Sequence, residues 1–465
     1  MSQYRPIYHF MPESNWMNDP NGPIYYQGEY HLFYQHNPDK PEWGTIHWGH
    51  AKSKDLVRWT HEPIALYPSI ELGEEHCYSG CCVINDEGIP TILYTSIGPG
   101  DRNATTGAQL WVAHSLDGMR TWTKSKLNPI VPAHIHGSLR VTEWRDPNVW
   151  KEQDGWKMVL GGTSEGKGGA LLYVSDNLES WTFQGHFYRS DRDEALWECP
   201  HVFRFGERYA LIYSPNGPVR YYTGTIGNDN EFVPEYSGIV DHGGWEGYYA
   251  ATGFVDGLGR RILWGWLPEG ARGNDFPVEM NAAGILSLPR QAELKPNGKL
   301  GFRPVIELEQ LRGECYHREN MLLTGEVMDT GVSGRALELQ VDIEPGDNRS
   351  SFQMAVLRSA DGEEQTTIRA DFVTGTISID RMRSSLFPGT HKSVIQGQLP
   401  AGSGDSIRLR IFVDHSVVEV FAGDETCLTT LVYPSRDDSI GVALSAEGSA
   451  VHVSRLLIWE MRSIW

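Results

Sequence analysis

The sequence predicts an all-β protein, a five-bladed β-propeller followed by a C-terminal β-sandwich. Three observations carry this expectation. Helical periodicity is scarce over the first 290 residues, where short β-branched and aromatic runs alternate with Gly, Asn, Asp and Pro. A strand–turn–strand unit returns five times over that stretch, at intervals of about 50–70 residues. Beyond about residue 310 the units stop, and strands that alternate apolar and polar residues take over.

The five units are GPIYYQGEYHLFYQH from Gly22, CCVINDEGIPTILYTS from Cys81, NVWKEQDGWKMVLGG from Asn148, HVFRFGERYALIYS from His201 and ATGFVDGLGRRILWGW from Ala251. Each reads as two strands around a tight turn whose Gly supplies the positive φ that short hairpin loops demand. A second repeat interleaves with the first three, SKDLVRWT from Ser53, SLDGMRTWT from Ser115 and SDNLESWT from Ser175, placing Trp59, Trp122 and Trp181 about 60 residues apart. Five hairpins over some 290 residues fit five four-stranded blades, whereas a sandwich does not explain the return of one hairpin.

The turn-rich stretch SLPRQAELKPNGKLGFRP closes the fifth unit, and LEQLR (Leu308 to Arg312) reads as a short helix. Strands follow at Ala336 to Ile343, Thr367 to Phe372, Ser406 to Val413 and Ser416 to Phe421. The expected division is a propeller catalytic domain over 1–300, a linker over 301–312 and a sandwich over 313–465.

Composition narrows the function. With 40 Lys+Arg against 60 Asp+Glu the net charge is −20, which disfavours phosphate backbones and anionic headgroups, so neither nucleic acid nor membrane is an expected partner. The first 22 residues hold no apolar stretch behind their positive charge and no run of 18 apolar residues occurs, so neither signal peptide nor membrane span is expected. Six cysteines without a CxxC pair read as reduced thiols of a cytoplasmic protein. An aromatic content of 11% suggests ring platforms, on which sugars stack, in addition to core.

The chemistry is expected just ahead of the hairpins. Asp19-Pro20, Asp146-Pro147 and Glu198-Cys199-Pro200 stand at equivalent repeat positions, each at the mouth of a blade's innermost strand, where blades converge on one axis. Three carboxylates at one concave point repel one another and lose hydration, which favours a role in metal binding or in acid/base and nucleophilic catalysis. Neither DxDxDG nor HExxH occurs, and His47 and His50 in HWGH suit packing and hydrogen bonding better than ligation, so no metal or cofactor is expected.

The sequence neighbours of the acids suggest roles. Asn18, Asn21 and the Gly22 turn offer donors that keep Asp19 ionised, as a nucleophile needs. Leu196, Trp197 and Cys199 give Glu198 an apolar setting that holds a proton, as a general acid needs. With Asp146 as a third carboxylate next to Arg145, the set suits glycosyl transfer through an oxocarbenium-like state.

The ordered motifs WMNDPNG, HWGHAKSKDLVRW, YSG, WRDPNVW, WECP, RILWGW, LSLPR and IFVDHSVVEVF span nearly the whole chain. Together they make it similar to glycoside hydrolase family 32, the invertase, inulinase and levanase group of β-fructofuranosidases. The resemblance implies a propeller with a C-terminal sandwich and hydrolysis of terminal β-D-fructofuranosyl bonds of sucrose or short fructans. It implies Asp19 as nucleophile, Glu198 as acid/base and Asp146 as stabiliser of the transition state. It further implies a fructose pocket lined by Asn18, Gln35, Trp43, Tyr78, Ser79, Arg145 and Trp266.

The chain departs from the family pattern in three places: Cys81 and Cys82 follow YSG, Gly247 replaces the Asp of a DFYA motif, and Asn281-Ala282 stands where an aromatic is common. These departures bear on substrate preference more than on reaction type. Two readings therefore stand beside hydrolysis of sucrose, a fructosyltransferase or a levan- or inulin-specific enzyme, and a noncatalytic carbohydrate-binding propeller. The second is disfavoured by the presence of all three acids. Asp414 and Glu419 in DHSVVE are expected to support the sandwich or an interface, and that domain either shapes the cleft mouth or forms a homodimer surface.

Overall fold

The computed structural model describes residues 3–98, 108–132, 134–269, 281–346, 349–400, 402 and 406–465. Five sheets of at least four strands are followed by two six-stranded sheets. The innermost strands of the five blades are Asn15–Tyr26, His76–Ile84, Val141–Glu152, Glu198–Phe205 and Tyr249–Val255. Each packs beside the next and the fifth packs beside the first, so the blades form a closed ring. Ala282–Ala283 pairs in parallel with Asn15 and Trp16, which ties the end of the propeller sequence to its beginning. The Asn281-Ala282 departure thus belongs to the first blade; the outer strands of the fifth are Arg290–Leu294 and Leu300–Pro304.

The interleaved repeat is one turn built three times, between the third and fourth strands of the first three blades. Asp55 Oδ1 accepts from the N–H groups of Val57 and Arg58, Asp117 Oδ1 from Arg120 and Thr121, and Asn177 Oδ1 from Glu179 and Ser180. Each turn places one non-glycine residue in the left-handed region, Leu56 at φ 64°, Met119 at 68° and Leu178 at 66°. The short acceptor side chain supplies the hydrogen bonds that make this conformation tolerable. The repeat therefore records a turn chemistry.

Apolar packing lies largely between blades. Phe33, Trp48, Ile92 and Trp111 pack between the first and second, Leu110, Trp144 and Leu160 between the second and third, and Phe187, Trp197 and Tyr213 between the third and fourth. A further cluster runs from the N-terminal segment through the fifth blade to Phe412, Val417 and Phe421 of the sandwich, so the two parts share one apolar interface. The expected helix is a 3-10 helix, Ile306–Leu311, and the fifth blade's last strand continues to Pro304, into the stretch expected to be linker.

Asp414 and Glu419 are fully buried at this interface. Asp414 accepts from the backbone N–H groups of Ile7, Tyr8 and His9, and His9 bridges Asp414 (2.9 Å) and Glu419 (3.2 Å). Arg290, also fully buried, joins Glu419 (2.7 Å) to Asp241 (2.8 Å) at the end of the fourth blade. Burial opposes a charge on His9, but hydrogen bonds to Asp414 and Glu419 outweigh it and lift the imidazole from 6.5 to about 9. The folded state therefore holds a proton that the unfolded chain releases first, and this contribution is complete below pH 6.5 and lost as pH rises through about 9. Thermal unfolding across that range is expected to show wild type losing on the order of 2 kcal/mol more than His9→Gln. Parallel curves for the two proteins would contradict this.

Candidate active site

The five innermost strands share a local irregularity at the same end. Pairing slips between Met17 and Pro20, between Cys77 and Gly80, opposite Val159 and Gly161, between Glu198 and His201, and between Tyr249 and Thr252. A bulge bends the strand and re-aims the side chains it carries. Here those residues include Asp19, Ser79, Asp146, Cys199 and Ala250, and Asp146 (φ 62°), Cys199 (47°) and Ala250 (50°) are left-handed. Such backbone costs of order 1 kcal/mol per residue and persists where surrounding structure enforces it. Gly22, just beyond Asp19, has φ +41°, and a Cβ there would lie 2.8 Å from the backbone nitrogen of Cys82, so WMNDPNG needs its glycine.

These bulges surround a pocket of about 300 Å³ at the propeller axis. Trp16, Asn18, Asp19 and Gln35 come from the first blade, with Trp43 in the loop that follows; Tyr78 comes from the second, Arg145 and Asp146 from the third, Glu198 and Cys199 from the fourth, and Tyr249 and Trp266 from the fifth. Trp245 completes the lining from the connection between the last two. The three expected carboxylates are thus brought together. So are Asn18, Gln35, Trp43, Tyr78, Arg145 and Trp266. Ser79 is placed differently, buried behind Asp19 with its hydroxyl donated to that carboxylate (2.6 Å). It orients the acid and does not line the pocket.

Asp19 also accepts from Asn18 Nδ2 (3.1 Å) and Gln35 Nε2 (3.2 Å), and Gln35 in turn bonds Ser79. Asn18 is oriented from the other side by the Trp16 indole N–H (2.8 Å). Asp146 accepts from the Cys199 backbone N–H (2.9 Å), and the Cys199 sulfur lies 3.6 Å from both Asp19 and Asp146. The Arg145 guanidinium reaches Glu198 at 2.7 Å and lies 3.9 Å from Asp146. Tyr249 donates its hydroxyl proton to Glu198 Oε2 (2.6 Å) and accepts from the Asn216 N–H (3.0 Å).

Burial works against the ionised state that sequence neighbours suggested for Asp19. Burial, opposed by the Ser79 hydroxyl and reinforced by the charge of Glu198, pushes Asp19 up to about 6. Burial, opposed by Arg145 and reinforced by Asp19 and Glu198, pushes Asp146 up to about 7. Glu198 does not sit in an apolar setting, because Trp197 points away to stack on Tyr213 at 3.6 Å and the carboxylate faces Arg145 and Tyr249. Besides Asn18, the donors to Asp19 are Ser79 and Gln35, from the second blade and a neighbouring strand, where the sequence pointed to Asn21. Asp19 and Asp146 thus both retain protons closer to neutrality than ordinary carboxyls do.

Tyr249, Trp16 and Trp245 line the pocket although sequence reasoning did not place them there. Trp16 stands inside WMNDPNG and Tyr249 two residues after Gly247, so proximity to a motif was the available signal. The HWGH histidines pack: His50 stacks on Phe33 at 4.3 Å and bonds His31 at 3.0 Å. Among the described residues, no group of three or more His, Cys, Asp and Glu is arranged to hold a metal ion.

Residues 9–304 match the glycosyl hydrolases family 32 N-terminal domain, and residues 307–460 match the glycosyl hydrolases family 32 C-terminal domain. The levanase of Bacillus subtilis is 34% identical over 508 residues, covering 99% of this chain and 71% of the levanase. A sucrose-6-phosphate hydrolase of Zymomonas mobilis is 32% identical over 488 residues, covering 97% and 91%. The crystal structure of fructan 1-exohydrolase IIa from Cichorium intybus superimposes with a TM-score of 0.87 at 28% identity, covering 99% of this chain and 98% of that one. Fold and pocket together define a glycoside hydrolase. The chain belongs to glycosyl hydrolase family 32.

Proposed function

We propose that the protein is a retaining β-fructofuranosidase that releases terminal fructose from sucrose and short fructans. The observation that carries this reading is the convergence of Asp19, Asp146 and Glu198 from three blades on one pocket of about 300 Å³. That volume is at the small end for ligand sites and suits one terminal sugar unit with part of its neighbour.

The reaction divides into two displacements. Asp19 attacks the anomeric carbon, the bond to the leaving oxygen breaks, and Glu198 gives that oxygen its proton. Glu198 then takes a proton from water, the resulting hydroxide oxygen displaces Asp19, and the configuration is restored. Arg145 and Tyr249 fix the orientation of the Glu198 carboxyl for both proton transfers. Asp146 bonds the sugar hydroxyls, and Trp16, Trp266 and Tyr78 cover its apolar edges.

The preference for neutral over phosphorylated sucrose belongs to the same reading. Among the described lining residues Arg145 is the one cation, and Glu198 engages it. A comparison of kcat/KM across sucrose, sucrose 6-phosphate, 1-kestose, inulin and levan is expected to rank sucrose and 1-kestose highest. Fastest turnover of levan, inulin or the phosphorylated sugar would overturn the substrate assignment. Product analysis at high sucrose separates hydrolysis from transfer to a second sugar. A reducing, cytoplasmic setting completes the proposal, supported by six free cysteines.

A further inference from the structure

The loop between the fourth and fifth blades, His242 to Tyr248, is held by the sandwich. A Cβ on Gly247 would lie 1.8 Å from the carbonyl oxygen of Thr429, and one on Gly243 would lie 2.5 Å from the same atom. Gly244 has φ +53°, and its Cβ would meet the carbonyl carbon of Gly217 at 3.0 Å. The loop backbone is thus wedged between the sandwich strand Thr426–Leu431 and the fourth blade. No side chain fits at position 247, which explains why the family's Asp is missing here. Glu246 is tied to the same domain through the buried Arg381 and Ser393, and the His242 N–H donates to the Cys427 carbonyl (3.0 Å).

The residue between these anchors is pushed into the pocket mouth. Trp245 lines the pocket and keeps 44% of its surface exposed. Its indole stacks on the Tyr249 ring (4.3 Å between centroids, 23°), meets Trp266 edge-on at 5.8 Å and donates its N–H to Asn216 Oδ1 (3.3 Å). Tyr249 is the residue bonded to Glu198, the group assigned to protonate the leaving oxygen. Through Tyr249, Trp245 thus adjoins the group assigned to protonate the leaving oxygen.

We infer that Trp245 is the platform on which the leaving sugar stacks, and that the sandwich domain, by clamping this loop, sets the enzyme's preference for its leaving group. A rigid indole with an exposed surface offers an apolar face to the C–H side of a pyranose or second furanose. The inference rests on the fructosidase reading and assigns it a specificity residue at the pocket mouth.

The test compares leaving groups. Trp245→Ala is assayed on sucrose and 1-kestose, which lose a sugar, and on methyl β-D-fructofuranoside, which loses methanol. The expected result is a fall in kcat/KM about tenfold greater for both sugars than for the methyl fructoside, mainly through KM. Trp245→Phe recovers most of the loss, and Glu246→Ala, which frees the loop from Arg381, shows a smaller loss with the same selectivity. Equal losses on all three substrates, or no loss on the sugars, would overturn the platform while leaving the fructosidase reading intact. A wild-type enzyme that releases fructose from none of them overturns both.

Discussion

Asp19→Asn lowers the rate of fructose release from sucrose by about 10⁴-fold or more. The amide has the shape of the carboxylate and can still accept from the Ser79 hydroxyl, so the pocket persists, but it cannot form the ester to the anomeric carbon. The same change stabilises the fold at alkaline pH. Because burial raises Asp19 to about 6, the native state binds its proton more tightly than the unfolded chain, and the ionised form costs stability as pH rises from 3.8 through 6. Asn carries no such cost. Thermal unfolding at pH 8 is expected to show Asp19→Asn more stable than wild type by on the order of 1–2 kcal/mol, with the gap closing near pH 4. A variant that is inactive and also less stable at pH 8 would indicate a collapsed pocket.

The second large effect lies at the domain interface. Arg290 is fully buried between Asp241 and Glu419, with its guanidinium 4.3 Å from the Tyr248 ring centre. Arg290→Met leaves two buried carboxylates without their counter-charge, and breaking such a pair from one side costs about 3–5 kcal/mol. Chemical denaturation of the full chain measures this directly. A loss below about 1 kcal/mol would mean that water or a neighbour compensates the acids. Since Asp241 also accepts from the Gly243 N–H (2.7 Å), the variant is further expected to raise KM for sucrose through the loop that carries Trp245.

The elements most legible in the sequence were those with a local cause. Hairpins announced themselves through a glycine turn between apolar runs, and the tagged turns through an Asp or Asn that bonds the next backbone N–H groups. Proline after Asp19 and Asp146 helped to pick the three acids out of 60 before any coordinates, although those two lie within their strands, at the bulges, and only Glu198 begins one. The bulges could not be foreseen, because they depend on where one strand slips against another.

The electrostatics were not legible for a related reason. Arg145 reaches Glu198 across 53 positions, and Ser79 reaches Asp19 across 60, so the hydrogen-bond partners of these acids lie on other blades. Sequence neighbours mislead in a strand, where adjacent side chains face opposite ways; Trp197 beside Glu198 is core. Asp414 and Glu419 show the same limit, since the motif marked them as structural while their partners, His9 and Arg290, come from the propeller half of the chain. Trp245 was hidden in a glycine-rich loop whose shape is imposed by the sandwich.

The covalent step is tested most directly with Glu198→Gln and β-D-fructofuranosyl fluoride. Fluoride departs without an acid, while the second displacement lacks its base, so the fructosyl-enzyme accumulates. Peptide mass mapping should find one fructosyl group on the peptide that carries Asp19, and its loss in the Asp19→Asn, Glu198→Gln double variant. Fluoride release with no adduct, or an adduct on any other residue, would contradict the assignment of Asp19 as nucleophile.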